Sequence, residues 1–588
     1  MPGFTVSHNT VRNRVVAVFV MTVFFSLCLI GRLAWIQIVK ADELYDQAWN
    51  QWNHRILVRT ERGSIYDRHG RLLAGSTDVQ TVVAIPPKIE DPWMIAGALA
   101  PVLKQDEETI LDLVSLDLSA VYLKRKVEQE VSEAVQEMNL PGIVLFKEEK
   151  RYYPGGSLSS QLLGFVGMDQ GWSGLEFFYE QYLGSSEGRL QYPADAHGRQ
   201  LPHIFYDNLL PEPNCDLYLS IDETIQHIVE RELEQIMIDA APEKAVAIAV
   251  DPYSGAVLAA AAKPDYDPLK FDHYDPESWS LAPFTSSFEP GSTFKLVTMA
   301  AVLEEGLFEP DEVHYCQGYT VVNGRRINCW TADRGGCGQI SFYQALGSSC
   351  NTAFIALGQR LGADKMLQYM EAFGYGQRTG VDYPGESSGL IFNSSQMGPL
   401  ELATSSFGQG ISVTPVQQVM AVSAMINGGY LYKPFLVAEI RNKDGETVFR
   451  REPILVRQVI SAETSTRLVE LMETVILEGT GKQAALEGYR AAGKTGTAEK
   501  LDSDQNYSSD SFIYSFVGFA PIEEPRLVLF VAVDGVTKGP RYGSATSAPL
   551  FKRIMEDTLN YYQVTPTDSA LWLEDKSDRG AENEHQGQ

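Results

Sequence analysis

The sequence predicts an α/β (α+β) domain carried behind a single membrane-spanning helix and a mixed α/β platform. Three observations point there: a charge-free apolar run near the N-terminus, a middle rich in glycine and aromatics, and apolar strand patterns bracketing a group of helical runs. At 588 residues the chain exceeds one ordinary domain, and an apolar fraction of 44% can fill large cores.

The elements follow in order. Residues 15–30, VVAVFVMTVFFSLCLI, carry no charge, and Gly31, Arg32 and LAWIQIV come next. Arg32 can snorkel and Trp35 can sit at the interface, so an anchor is expected over 15–39. Arg12 and Arg14 precede it, and no acid occurs before Asp42. The positive-inside rule then makes residues 1–14 a cytoplasmic tail and the rest extracytoplasmic, in a single-pass protein of the plasma (inner) membrane. No A-x-A-like site follows the run, which favours an anchor over a cleaved signal peptide.

Residues 41–60 read as a polar, amphipathic stalk. ERGSIYDRHGRLLAG (61–75) reads as a hairpin around Asp67-Arg68-His69-Gly70. Residues 91–140 have helical periodicity, and 141–210 suit an irregular platform. From Cys215 the texture changes. LYLSI is a strand, 222–240 an amphipathic helix capped by Asp222, and 245–264 two strands around the Asp251–Gly255 turn. Helices are expected between about 292 and 375, and late strands at 513–523 and 526–535, so that the two ends of the domain pair in one sheet. Residues 564–588 form an acidic tail without packing pattern, expected to be disordered.

A net charge of −28 argues against nucleic acid as a partner. No C-x-x-C pair or His/Cys cluster has zinc spacing and no phosphate loop is present, so neither metal nor cofactor is expected. Four of the six cysteines cluster. Cys316 and Cys329 flank QGYTVVNGRRIN, whose Asn323-Gly324 centre reads as a hairpin turn. They either close a small disulfide loop or remain buried thiols.

The chemistry concentrates in three short motifs. In FEPGSTFKLVTMAAVLEEG, Ser292 stands at the start of a mostly buried helix and Lys295 one turn on, the chain's only S-x-x-K. A helix start offers free N–H groups and positive potential to a serine that must become an alkoxide, and a buried lysine can serve as its base. An isolated S-x-x-K is more often a capped helix with a solvated lysine. Two further trios alter that balance: Ser349-Cys350-Asn351, and Lys494-Thr495-Gly496-Thr497 on what reads as an edge strand. Ser349 can carry a proton from Lys295 to a leaving amine. Asn351 can hold the lysine and a substrate amide, and Lys494 can face a substrate carboxylate. Thr495 and Thr497 offer hydroxyls, Gly496 permits close approach, and the N–H groups of Ser292 and Thr497 can form an oxyanion hole.

Together the trios form the motif set of serine β-lactamases and penicillin-binding proteins. Over residues 10–560 the chain resembles a class B penicillin-binding protein, a monofunctional D,D-transpeptidase. The resemblance extends to ERGSIYDRHGRLLA, RYYPGG, LLGFVG, SGLEFFYEQYL and FGQGISVTP. It implies a penicillin-binding/serine β-lactamase-like transpeptidase domain at 215–563 behind an elongated pedestal or dimerisation domain at 40–214. It also implies that Ser292 is acylated by peptidoglycan stem peptides and by β-lactams, with Lys295, Ser349, Asn351 and Lys494 as its catalytic partners. A neighbouring stem then takes the acyl group. A membrane-embedded glycan polymerase and division or sporulation complex proteins are the implied partners. The pedestal leans toward septal or spore wall use over elongation. Cys337 departs from the pattern, since relatives often have His there. The alternatives are an elongation-type transpeptidase, a β-lactamase or β-lactam sensor, a D,D-carboxypeptidase, and a scaffold with a dead site. Penicillin labelling separates enzyme from scaffold, and penicillin turnover separates transpeptidase from lactamase.

Overall fold

The computed structural model describes residues 8–44, 53–59, 61–184, 187–193, 208–209, 214–309, 311–501 and 507–566. Much of the expected stalk, and residues 567–588 of the expected acidic tail, lie outside them. The chain divides into two compact units, residues 1–60 with 185–213 and residues 61–184 with 214–588.

In the first unit, helix His8–Ala34 runs into a π-helical turn, Trp35–Val39. Arg12–Val39 is, among the described residues, the one helix long and apolar enough to cross a membrane. Asn53–Arg59 is a strand, paired antiparallel with Glu187–Pro193.

The second unit opens with the hairpin expected at 61–75. β1 (Ile65–Tyr66) and β2 (Leu72–Ala84) pair antiparallel around it, and the Asp67 carboxylate accepts from the N–H groups of His69 and Arg71. Helices Pro92–Leu103 and Gln129–Met138 lie where the periodicity places them, but a strand, β3 (Val121–Val127), stands between them. Here sheet pairing with β2 decides the conformation, and these elements close over a small core of Val82, Ile95, Leu99, Leu123 and Val135. The platform is more regular than expected at its start, where β4 (Ile143–Tyr152) pairs with β2 along its whole length. Only short helices follow, from Ser160 to Leu183.

A buried charge cluster ties these motifs together. Glu176, with no exposure, accepts from Arg62 Nε at 2.7 Å and from Arg151 Nε at 2.6 Å. Arg62 also reaches Glu180 at 2.7 Å, and Arg151 donates to the Gly63 carbonyl at 2.8 Å. Burial opposes the Arg62 charge, but Glu176 and Glu180 more than offset it and hold the guanidinium above its ordinary range.

β5 (Cys215–Leu219) pairs in parallel with β1, so platform and second half share one seven-stranded sheet. α1 (Glu223–Ala240) starts at Asp222, whose side chain accepts from the Thr224 N–H. β6 (Lys244–Val250) and β7 (Val257–Lys263) form the expected hairpin. Helix α2 (Lys295–Glu304) is buried nearly all round. The helical region after it is interrupted by β8 (Val313–Cys316), β9 (Tyr319–Val322), β10 (Arg325–Asn328) and β11 (Gly338–Ser341), which pair as β8–β11 and β9–β10. Asn323 and Gly324 both take positive φ at the β9–β10 turn, as an Asn-Gly hairpin requires. Helix α3 (Asn351–Leu361) follows.

The late strands are β12 (Ala492–Leu501), β13 (Tyr507–Ala520) and β14 (Leu527–Asp534), followed by α4 (Ser547–Tyr561). Their sheet runs in the order β7-β6-β14-β13-β12, so the ends of the region do pair and β12 is an edge. Alternation sorts its two faces. Ile248, Val250, Val528 and Phe530 pack on the α2 side, while Ala247, Ala249, Leu529 and Val531 pack against α1 and α4.

Candidate active site

Ser292 lies in a 3-10 turn, Gly291–Phe294, with the α-helix beginning at Lys295. The helix therefore starts three residues later than the sequence suggests, and the two side chains are one tight turn apart. Gly291 makes the turn possible. Its φ is +52°, and a Cβ there would meet the Thr497 carbonyl oxygen at 2.6 Å. The turn thus rests directly on strand β12.

Lys295 is fully buried, which rules out a solvated surface lysine. Its Nζ donates to the Ser349 carbonyl at 2.7 Å, to Ser349 Oγ at 3.1 Å and to Asn351 Oδ1 at 2.7 Å. Ser349 Oγ is in turn 3.1 Å from Ser292 Oγ. A continuous path thus runs from the Ser292 hydroxyl through Ser349 to the amine. Ser349 has φ +55°, a left-handed conformation that costs a serine on the order of 1 kcal/mol. In that conformation both its carbonyl and its hydroxyl serve Lys295. Burial pulls Lys295 down to about 8, and the nearby cysteine sulfurs act the other way. Among the described residues no carboxylate forms an ion pair with it.

On β12 the strand alternation separates the third motif. Thr495 and Thr497 line the cleft, whereas Lys494 is buried beneath and donates to Thr495 O at 3.0 Å and Thr495 Oγ1 at 3.2 Å. Gly496 keeps the strand close to its neighbours, since a Cβ would meet Ser515 Oγ at 2.2 Å. Burial first, then the neighbouring Lys295, press Lys494 well below the ordinary lysine range. The standing cation expected from the sequence is therefore a hidden amine whose charged form is disfavoured.

The whole constellation faces a cleft of about 1590 Å³, floored by Ser292, Ser349, Asn351, Thr495 and Thr497. All eight residues singled out in the sequence converge on it or directly under it.

Residues 245–556 match the family described as penicillin binding protein transpeptidase domain, and residues 58–219 match the penicillin-binding protein dimerisation domain. The chain belongs to the penicillin-binding protein transpeptidase family. It is 38% identical over 568 residues to Stage V sporulation protein D of Bacillus subtilis, covering 95% of this chain and 88% of the relative. It is 32% identical over 560 residues to peptidoglycan D,D-transpeptidase FtsI of Escherichia coli strain K12, covering 94% and 92%. The fold matches that of a peptidoglycan synthetase from Bifidobacterium adolescentis, with a TM-score of 0.71, 24% identity, and coverage of 88% of this chain and 98% of that one.

Other parts of this cleft were missed in the sequence. Thr480 Oγ1 lies 2.8 Å from Thr495 Oγ1, and Asn351 Nδ2 donates to the Asn328 carbonyl at 3.2 Å. The Gly291 N–H donates to the Gly408 carbonyl at 3.0 Å, which anchors the Ser292 turn from behind. Only the glycines of EGTGK and FGQG signalled these approaches. On the far wall of the cleft Arg325, Arg326 and Arg334 come from the β9–β10 hairpin and the turn after it. Cys350, between Ser349 and Asn351, lies against Cys329, and all six cysteines are free thiols, including Cys316 and Cys329.

Proposed function

We propose that the chain is a serine D,D-transpeptidase that cross-links peptidoglycan stem peptides through an acyl-enzyme on Ser292. The observation that carries this reading is the hydrogen-bonded path from Ser292 Oγ through Ser349 Oγ to a fully buried Lys295 amine. An amine drawn down to about 8 is in part neutral near pH 7 and can take the Ser292 proton as the serine attacks the penultimate D-Ala carbonyl. The N–H groups of Ser292 and Thr497 hold the developing oxyanion. The proton then passes through Ser349 to the departing D-Ala amine as the peptide C–N bond breaks and the ester to Ser292 remains. The amine of a second stem attacks that ester, forms the cross-link amide and returns the proton to Ser292. Thr495 and Thr497 meet the donor's terminal carboxylate in the cleft, and its negative charge favours the ammonium form of Lys494 buried beneath them. Arg325, Arg326 and Arg334 give the far wall a positive character suited to the carboxylates of stem peptides. A β-lactam acylates Ser292 by the same steps, but its leaving nitrogen stays tethered.

The reading assigns residues 15–39 to the anchor, 40–214 to the pedestal and 215–563 to the transpeptidase, with the catalytic region outside the membrane. The sporulation name of the Bacillus subtilis relative supports a role in spore wall synthesis; septal use and a membrane-embedded glycan polymerase as partner are further parts of the proposal. Fluorescent penicillin should label the wild-type protein with slow release and map by mass spectrometry to Ser292. Incubation with a pentapeptide donor and an amine acceptor should release D-Ala and form an amide. No adduct on the wild type, or an adduct that persists in Ser292→Ala, would overturn the assignment.

A further inference from the structure

Cys316, Cys329, Cys337 and Cys350 are separated by twelve, seven and twelve residues, a spacing unlike that of a zinc knuckle. The fold nevertheless brings them to one point: Cys316 ends β8, Cys329 follows β10, Cys337 precedes β11 and Cys350 precedes α3. Their four Sγ atoms lie within 4.8 Å of one another. Cys329 Sγ is 3.9 Å from Cys337 Sγ and 4.0 Å from Cys350 Sγ. Four thiolates at about 2.3 Å from a tetrahedral zinc ion sit about 3.8 Å apart along each edge. Cys329 is equally close to two partners, so the arrangement suits one shared centre better than a committed pair.

Other features fit such a centre. Cys316, Cys329 and Cys350 are almost fully buried, as in closed structural sites. Thr331 Oγ1 lies 3.3 Å from Cys337 Sγ and Thr352 Oγ1 lies 3.3 Å from Cys350 Sγ, placing hydroxyl donors against two of the sulfurs. The loop carrying Cys337 presses on the end of β8: a Cβ on Gly336, with φ +95°, would meet the Cys316 carbonyl oxygen at 2.2 Å. Glycine lets the chain fold over itself and aim separate segments at one centre.

We propose that these four cysteines hold a single structural metal ion of the soft, tetrahedral divalent class, with zinc as its representative. The ion joins the β8–β11 and β9–β10 strand pairs to the segment bearing Ser349 and Asn351. It fixes the left-handed Ser349 and the Asn328 carbonyl that receives Asn351, and so acts by positioning; it touches no reacting atom.

The test uses the full chain in detergent, purified without chelators or added reductant, with metal content measured by elemental analysis. One zinc per chain is expected. Exchange with Co²⁺ should give the strong near-ultraviolet and red absorption of tetrahedral thiolate cobalt. Cys316→Ser and Cys337→Ser should each weaken metal retention roughly tenfold or more, whereas Cys28→Ser and Cys215→Ser should leave it unchanged. Cys337→His, which replaces one ligand by another, should retain zinc and guards against a serine variant that merely fails to fold. Folded wild type without metal, with a mass four hydrogens lower because the thiols are oxidised in two pairs, would overturn the proposal. Unchanged metal content in the Cys316→Ser/Cys337→Ser double variant would do the same. These readouts are independent of acylation, so they stand apart from the fate of the transpeptidase assignment.

Discussion

Two of the places where the molecule buries charge-bearing side chains treat them in opposite ways. Around Glu176 two arginines meet carboxylates at 2.6–2.7 Å, and Arg62 is held above its ordinary range. In the cleft two lysines are buried without an ion pair among the described residues, and both are pushed below theirs. Guanidinium stays charged under any burial the fold can impose, so it must be neutralised by partners and then serves to lock motifs together. An ammonium can give up its proton instead, and that choice turns burial into reactivity. Residues that look alike in the sequence thus do opposite work.

The comparison breaks most sharply at Lys295. Lys295→Met should slow penicillin acylation roughly 10²–10⁴-fold. It should change the melting temperature little, because the relief from burying an amine is offset by the Ser349 carbonyl and Asn351 Oδ1, which lose their donor. Stopped-flow labelling and calorimetry on the same samples check both halves. Glu176→Gln should give the reverse, a loss of about 3–5 kcal/mol in stability from two arginines left under-compensated. The fraction that remains folded should acylate at a rate near wild type, as read by denaturant melts paired with labelling.

Next in size is a pH effect. Lys295 must be neutral to accept a proton, and the neutral fraction rises with pH. Acylation should therefore climb about tenfold per pH unit below about 8 and level off above it. The Arg62–Glu176 cluster should impart no stability change across that window, since the guanidinium does not titrate there. A flat acylation profile from pH 6 to 9 would remove Lys295 from the role of base. The smallest effect is expected at Thr480→Val, which removes the hydroxyl beside Thr495 and should slow acylation only several-fold, at about 1 kcal/mol.

The regular periodicities were readable from the sequence: Asp222 caps its helix, the 245–264 hairpin forms, and the first and last strands of the catalytic region pair. So was the set of eight residues that converges at the cleft, because each motif carries its polar side chains within a few positions of one another. What escaped was set by partners far along the chain. β3 and β4 have mixed, charged sequences that only pairing with β2 makes into strands. The side on which Lys494 lies follows from strand alternation and sheet packing. The strain at Ser349 follows from Lys295 fifty-four residues away. The four cysteines gave no spacing signal because glycine turns, which leave no fixed interval, bring them together.

The parallel contact between Ile65–Tyr66 and Leu217–Tyr218 has a practical corollary. A protein trimmed to begin at 215 would strip Cys215–Leu219 of its neighbour on that side and bare a row of peptide amides, inviting self-adhesion in solution. Solubilisation by shortening should instead start at Asn53, which keeps Asn53–Arg59 paired with Glu187–Pro193 and Ser64 bonded to Asp216, and removes the apolar helix Arg12–Val39. The hairpin at 65–84 and the catalytic region thus belong to one folding piece, and a cut between them costs more than one made upstream of both.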